Sequence, residues 1–576
     1  MGRSAELTQE EAHIFTVGFC EPFLSRLVEH LRERYLKDSN DLSRIAIVFG
    51  GKRPSLFLTR ALAQQHGKPF IPPHFFTIDE WIRHVVWQKQ HFAQAPDLDQ
   101  SYLIYKLSQD LAPEILKGRK TFAQFLPWAR QILSFIDLLD LENVADRDLK
   151  NVQANARIGY AVPSDINRLL EHVVALRQAY HAWMRENQTY SRGFQYQQSA
   201  QWIESASLDA YDQILFCNFF YLHRTEEVVI KNLYDRKKAA LFFQGDERRW
   251  PILSKLAQNL GCSIREGDPI SSPPFELKLY SAFDGHSQVA QVREIVKNLS
   301  SQAKPDGTSA LKNTVIVLPD PEQIIPLLSE VSGILEDFNV SMGYPLKRSS
   351  LYSLFEMIFA SQLSRQEQKY YSRDYLRTLR HPLVKSLGSL QGSSATRVLI
   401  HKIEEILTGQ VMTELSGSIF VDLKALENLD DLYKLTLETL SSMNVQMSKE
   451  DLQKIFKEIH QKLFHSWEEV LNFSEFANAL ESFLNFFLEK SSLKYYPLNL
   501  KIVARMLAVQ QELATVSFDQ EQFSSEEIFR IFNSKIEQEI VAFSGSPLKG
   551  LQILGLLETR SLNFEHVIIL DVNENV

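Results

Sequence analysis

Cysteine is nearly missing from this sequence: only Cys20, Cys217 and Cys262 occur, far apart and without CxxC spacing. That excludes a zinc ribbon or a cysteine-held iron–sulfur cluster built from this chain alone, and it fits a reducing cytoplasm. No apolar run approaches the roughly 18 residues that a membrane span needs. The N-terminus Met1-Gly-Arg-Ser-Ala-Glu6 has no apolar signal core, and Glu6 spoils the myristoylation pattern that Gly2 suggests. None of the fifteen histidines, His223, His460 and His465 included, falls in a HExxH or comparable ligand spacing. No Gly-Lys-Ser phosphate loop follows the first apolar strand either.

What is present reads as an ordinary soluble globular composition, with 44% hydrophobic and 23% charged residues. At 576 residues the chain exceeds one hydrophobic core and is expected to divide into several domains. The formal net charge of −9 argues mildly against a nucleic-acid coat protein, but an acidic whole can hide a basic channel. Charge therefore leaves the partner open.

Apolar runs at Ile14–Val17, Ile45–Phe49 and 75–77 alternate with helical spacing: Phe23, Leu24, Leu27, Val28 and Leu31, then 56–65, then a helix beginning near Asp79. Alternation at this spacing predicts an α/β fold with a mostly parallel sheet. From about 81 to 205 strand signals nearly vanish, which predicts a helical insertion, and the sheet resumes at Gln213–Cys217, 239–243 and 263–265. The run Gly267-Asp-Pro-Ile-Ser-Ser-Pro-Pro274 is the best linker candidate. A second α/β unit is expected beyond it: strands 277–281 and Thr314–Leu318 with a helix at 287–299 between them, and a further helix after Pro321. Helical periodicity returns from about 349 to 521, with Leu452, Ile455, Phe456, Ile459 and Leu463 on one face and Phe476, Leu480, Phe483, Leu484 and Phe487 on another. Strands 552–556 and 566–570 close the pattern. The chain stops just after Asn573-Glu574, on a loop following an inner strand, so a longer protein is expected.

Six segments carry a resemblance: "IAIVFGGKRPSLFLTRAL" (45–62), "YDQILFCNFFYLHRTEEVV" (211–229), "ALFFQGDERRW" (240–250), "TVIVLPDPEQIIPLL" (314–328), "NVSMGYPLKRSSLYSLFE" (339–356) and "LQILGLLETRSLNFEHVIIL" (551–570) followed by "DVNEN". In this order they resemble B subunits of AddAB-type helicase–nucleases and related PD-(D/E)XK nuclease family proteins, whose plan is that of superfamily 1 helicases. The resemblance implies two RecA-like domains with large helical insertions. It divides the chain into 1–84, insertion 85–205 and 206–270 for the first, then 275–350, insertion 351–521 and 522–576 for the second. It also implies DNA as partner, a motor-bearing helicase–nuclease subunit as second partner, work in double-strand-break repair and recombination, and a C-terminal nuclease with its Mg²⁺ beyond Val576.

The nucleotide-handling positions are degenerate. Val17-Gly-Phe-Cys-Glu-Pro-Phe-Leu-Ser-Arg26 stands where glycines, a Lys and a hydroxyl would cradle phosphates; Gly18, Ser25 and Arg26 remain, but Glu21 repels phosphate and Pro22 lacks a donor. Cys217 and Asn218 occupy the strand end where a motor carries an Asp-Glu pair for Mg²⁺ and water. Arg249, after Gly245-Asp246, stands where the family's phosphate sensor has Gln. In 557–564 the coupling frame persists with its His and Lys replaced. No catalytic residue, bound cofactor or metal ligand is therefore assigned to this chain, and no membrane partner.

The DNA-contact candidates are Lys52 and Arg53 before a helix N-terminus, Lys347 and Arg348 after "MGYP", and Arg560, each weighed against a solvated surface charge. Tyr370, Tyr371 and Tyr375 fit base stacking or, more ordinarily, a core. Asp268 with Glu276 and Lys278 matches loose nuclease spacing, against the plainer reading of a strand opening. An active motor with divergent motifs and a non-enzymatic scaffold remain the competing readings.

Overall fold

The computed structural model describes residues 13–37, 39–149, 166–266, 275–301, 310–335, 337–388, 393–543 and 545–573. Two parallel sheets organise it. In the first, β1 (Ile14–Val17), β2 (Ile45–Phe49), β3 (His74–Thr77), β4 (Gln213–Cys217) and β5 (Ala239–Gln244) lie in the order β1-β5-β4-β2-β3, all parallel. Alternate residues of these apolar strands feed opposite faces, as strand geometry requires. Ile45, Ile47, Phe49, Leu215 and Phe242 pack under α1 (Phe23–Arg34) and α2 (Arg53–His66). Ala46, Val48, Ile214, Phe216, Leu241 and Phe243 pack instead on α3 (Ile78–Trp87) and the helices Arg224–Asp235 and Pro251–Leu260.

The second sheet contains β6 (Thr314–Leu318), β7 (Phe338–Val340), β8 (Leu551–Gly555) and β9 (His566–Ile569), in the parallel order β9-β6-β8-β7. Its two faces bury different residues. Ile316, Leu318 and Ile553 pack beneath α4 (Gly285–Ser300) and α5 (Ile324–Val331), whereas Val315, Val317 and Leu554, also buried, form a small cluster with Leu562 and Phe564.

The helical stretches between the strands share one apolar core that joins residues 86–194 to residues 346–541. Tyr102 packs tilted and Phe122 edge-on against Phe518, with ring centroids 4.5 and 5.3 Å apart, and Arg130 reaches the carbonyl and hydroxyl of Ser534. Tyr370 and Tyr375 are wholly buried there, so neither is available to stack on a base. The Tyr375 hydroxyl meets His460 Nε2 at 2.7 Å, and His460 Nδ1 meets Glu427 at 2.7 Å.

Three expectations are corrected. Residues 263–265 form no strand: the Ile264 carbonyl accepts from Glu247 N–H at 2.8 Å, and Ile264 N–H is taken by the Glu247 carboxylate at 3.0 Å. Residues 277–281 form no strand and lie exposed, with Glu276 and Lys278 paired to each other at 3.2 Å. Helix α2 begins at Arg53 rather than at Leu56, because Pro54 is favourable in a first turn. The linker 267–274, with Asp268, lies outside the described residues. Among the described residues no helix is long and apolar enough to cross a membrane.

Two histidines, His30 half-buried and His381 buried, give the fold a pH dependence. His30 packs on Phe15 and Phe242 with Nε2 unpartnered, and burial, aided by Arg34, lowers its pKa to about 4. Burial likewise lowers His381 to about 4. Both stay neutral when folded while the unfolded chain takes up protons near 6.5, so their contribution is complete above that pH and is lost as pH falls towards 4. Urea midpoints measured across this window are expected to fall with acidification, and more gently in His30→Phe.

Candidate functional site

The C-terminal ends of strands from both sheets meet at a cleft of about 510 Å³. Such strand ends are where open parallel sheets bind ligands. The first sheet contributes Gly50, Gly51, Lys52 and Arg53 after β2, and Asn218, Phe219 and Tyr221 after β4; the second contributes Ser341 after β7 and Leu557, Glu558, Arg560 and Ser561 after β8. Helix α2 has no acidic residue in its first turn and no side-chain cap on its free N–H groups. Those donors and the helix dipole favour an anion there.

Lys52 extends into solvent, its side chain 77% exposed, and its ammonium rests on Glu80 Oε1 at 2.7 Å. Glu80 is itself fixed by a capping box with Thr77. An exposed pair of this kind is weak enough for a phosphate to replace. Arg53 is half-buried and crosses to the second sheet, donating to Gln552 Oε1 at 3.1 Å. Burial pushes the Arg53 pKa down, which the Glu558 carboxylate opposes; burial likewise pushes the Glu558 carboxyl up, with Arg53 opposing. Arg560 is exposed on the cleft wall. Two further links tie the sheets: Arg60 donates to the Leu548 carbonyl at 2.9 Å, and Asn218 Nδ2 donates to Ser561 Oγ at 2.8 Å.

No family model and no curated protein matches the chain. What the site can do therefore rests on its own geometry. At the turn after β1, the Glu21 carboxylate accepts from Gly18 N–H at 3.3 Å, while Arg26 Nε donates to the same carboxylate at 2.5 Å. An internal anion thus takes the backbone donor that a bound phosphate would need, and its cationic partner is already paired. Ser25 lies on α1 without a glycine cradle around it. Gln244 closes the turn further, its amide reaching the carbonyls of Gly18 at 3.5 Å and Glu21 at 3.3 Å.

The neighbouring loop after β5 is equally self-contained. Asp246 accepts from Arg248 N–H at 2.8 Å and pairs with the Arg248 guanidinium, which holds its carboxyl well below the usual range. Arg249 faces Glu266 at 4.0 Å.

The structure thus brings Lys52, Arg53 and Arg560 together. Lys347 and Arg348 sit apart, on the short helical turn Leu346–Arg348 outside the cleft lining, and Arg348 is ion-paired with Glu322. Sequence reading missed Gln552, Asn339 and Ser561. Asn339 Nδ2 donates to Gln552 Oε1 at 3.1 Å, the atom that also receives Arg53. A signal was present: Gln552 and Asn339 each interrupt an apolar strand, and a buried polar side chain in such a place needs a partner.

Proposed function

We propose that this chain is the helicase-like, ATPase-inactive, DNA-binding portion of a helicase–nuclease subunit for double-strand-break repair. Its two parallel sheets are then RecA-like units carrying helical insertions, and its second partner is a motor-bearing subunit in the cytoplasm. One observation carries the reading. The nucleotide seat after β1 is filled by the Glu21–Arg26 pair, while the seat at the α2 N-terminus is open and flanked by Lys52, Arg53 and Arg560. Phosphate recognition of this kind needs positive forks and backbone donors and no catalytic group, and it carries no base specificity. Arg53 would exchange Gln552 for a phosphate oxygen; Lys52 would leave Glu80.

The test is fluorescence anisotropy with a labelled single-stranded oligonucleotide over a salt series. Lys52→Ala/Arg53→Ala/Arg560→Ala is expected to weaken binding uniformly across sequences. It should flatten the plot of log affinity against log salt by about 2, from a slope of roughly −0.7 per phosphate contact. Lys347→Ala/Arg348→Ala is expected to change little. Unchanged affinity and slope in the triple variant would remove the cleft from the DNA path and favour a scaffold without DNA contact.

A further inference from the structure

Among the described residues, Phe275-Glu-Leu-Lys-Leu-Tyr-Ser-Ala-Phe283 is the most exposed apolar stretch. Phe275, Leu277 and Leu279 alternate with Glu276, Lys278 and Tyr280, the pattern of a strand with one buried face. Yet Leu277 is 72% exposed and Leu279 88%. The second sheet meanwhile has an open margin. β9 pairs with β6 on one side and with no described strand on the other, and Val567 and Ile569 are exposed. An unpaired apolar sheet edge of this kind is a template for another strand.

Chain handedness brings the two features together. The connection from β6 through α5 to β7 runs towards the β8 side of the sheet, over the face that α4 and α5 share. Crossovers between parallel strands are right-handed, so two of them on one face travel in the same direction. Whatever strand feeds α4 and then β6 must therefore stand on the opposite side of β6, which is the β9 side. The segment that feeds α4 is 275–283, joined to it through the cap residue Asp284. The end of the tether fits as well. The Gln288 carboxamide, in the first turns of α4, abuts Asp571: with its nitrogen turned to the carboxylate and its oxygen to the N–H, the two groups pair at 3.0 and 2.9 Å, and Asp571 lies just past the end of β9. A strand parallel to β9 would have to deliver the chain to that same end.

We propose that residues 275–283 are a strap that docks as a parallel strand on the open edge of β9, and that the structure holds both partners undocked. The occupant is this chain's own segment, because one residue separates it from a helix already seated at the right end, which gives it a high local concentration. Docking would extend the sheet to five strands and turn Phe275, Leu277 and Leu279 away from water.

Hydrogen–deuterium exchange on the full chain tests this. Peptides covering 275–283 and 566–570 are expected to exchange at least tenfold more slowly than an unstructured chain, independently of protein concentration. Leu277→Asp/Leu279→Asp, and separately Leu279→Pro, should each release both peptides by tenfold or more while leaving 551–555 protected. These side chains are solvent-exposed in the undocked state, so the variants keep the core intact. Exchange of 275–283 at the unstructured rate in the unaltered protein would overturn the proposal. So would protection that grows with protein concentration, which would mean that a second copy supplies the strand.

Discussion

Asp140→Ala is expected to destabilise the protein by about 3–5 kcal/mol, the usual consequence of removing one partner from a buried ion pair. Asp140 lies in the helix Phe122–Leu141 with no exposed surface; its Oδ1 receives Arg177 Nε at 2.8 Å and Nη2 at 2.6 Å, and its Oδ2 meets His181 Nε2 at 2.8 Å. Arg177 and His181 come from the helix Ile166–Asn187, so the cluster pins one long helix to another inside the shared core. Without the carboxylate, Arg177 keeps Asp146 at 2.9 Å and the Val144 carbonyl at 2.8 Å, but most of its charge remains buried and unmatched. Urea unfolding followed by helical circular dichroism measures the loss. Asp140→Asn should cost less, since it retains the shape and one acceptor. A loss below about 1 kcal/mol for Asp140→Ala would mean that water reaches Arg177.

Gly550→Ala is the second large effect, expected at about 2–4 kcal/mol from left-handed backbone strain together with overpacking. Gly550 has φ +61°, and a Cβ there would stand 1.9 Å from the Asp337 carbonyl oxygen. That carbonyl also accepts from Leu551 N–H at 3.2 Å, so the clash falls where β8 enters the sheet between β6 and β7. The same turn positions Gln552, whose amide donates to the carbonyls of Lys549 and Gly550 and whose oxygen receives Arg53. The variant should therefore lose DNA affinity along with stability, and thermal unfolding and anisotropy on one preparation would register both. Full stability with unaltered binding would show that the turn can shift without cost.

The strands were largely legible because buried parallel strands are short apolar runs bounded by turn residues, as Ile45–Phe49 and Thr314–Leu318 are. The failures share a physical cause. Residues 263–265 and 277–281 have strand composition, but a local pattern does not contain whether a sheet edge is engaged: Glu247 takes the donor and acceptor of Ile264, and 277–281 stands off the open edge of β9. The single helical core was hidden for a related reason: Phe122 meets Phe518, and Arg130 meets Ser534, across hundreds of residues. In the cleft, Lys52 and Arg53 could be found from a helix start and Arg560 from its loop. Their common destination could not, because it depends on how the two sheets face each other through the Arg60–Leu548 and Asn218–Ser561 bonds. The degenerate turn after β1 was legible as a missing cradle; that Glu21 occupies the phosphate's donor required coordinates.

The claim that this chain holds DNA without handling nucleotide is tested most directly by phosphate release from Mg-ATP, measured on the purified protein with and without single-stranded DNA at concentrations where anisotropy shows it bound. We expect DNA binding that weakens steeply with salt and phosphate release no faster than the buffer background at every DNA concentration. Release that rises with added DNA would contradict the reading, because it would require the turn at Gly18 to open, Glu21 to leave and a working phosphate seat to form in its place.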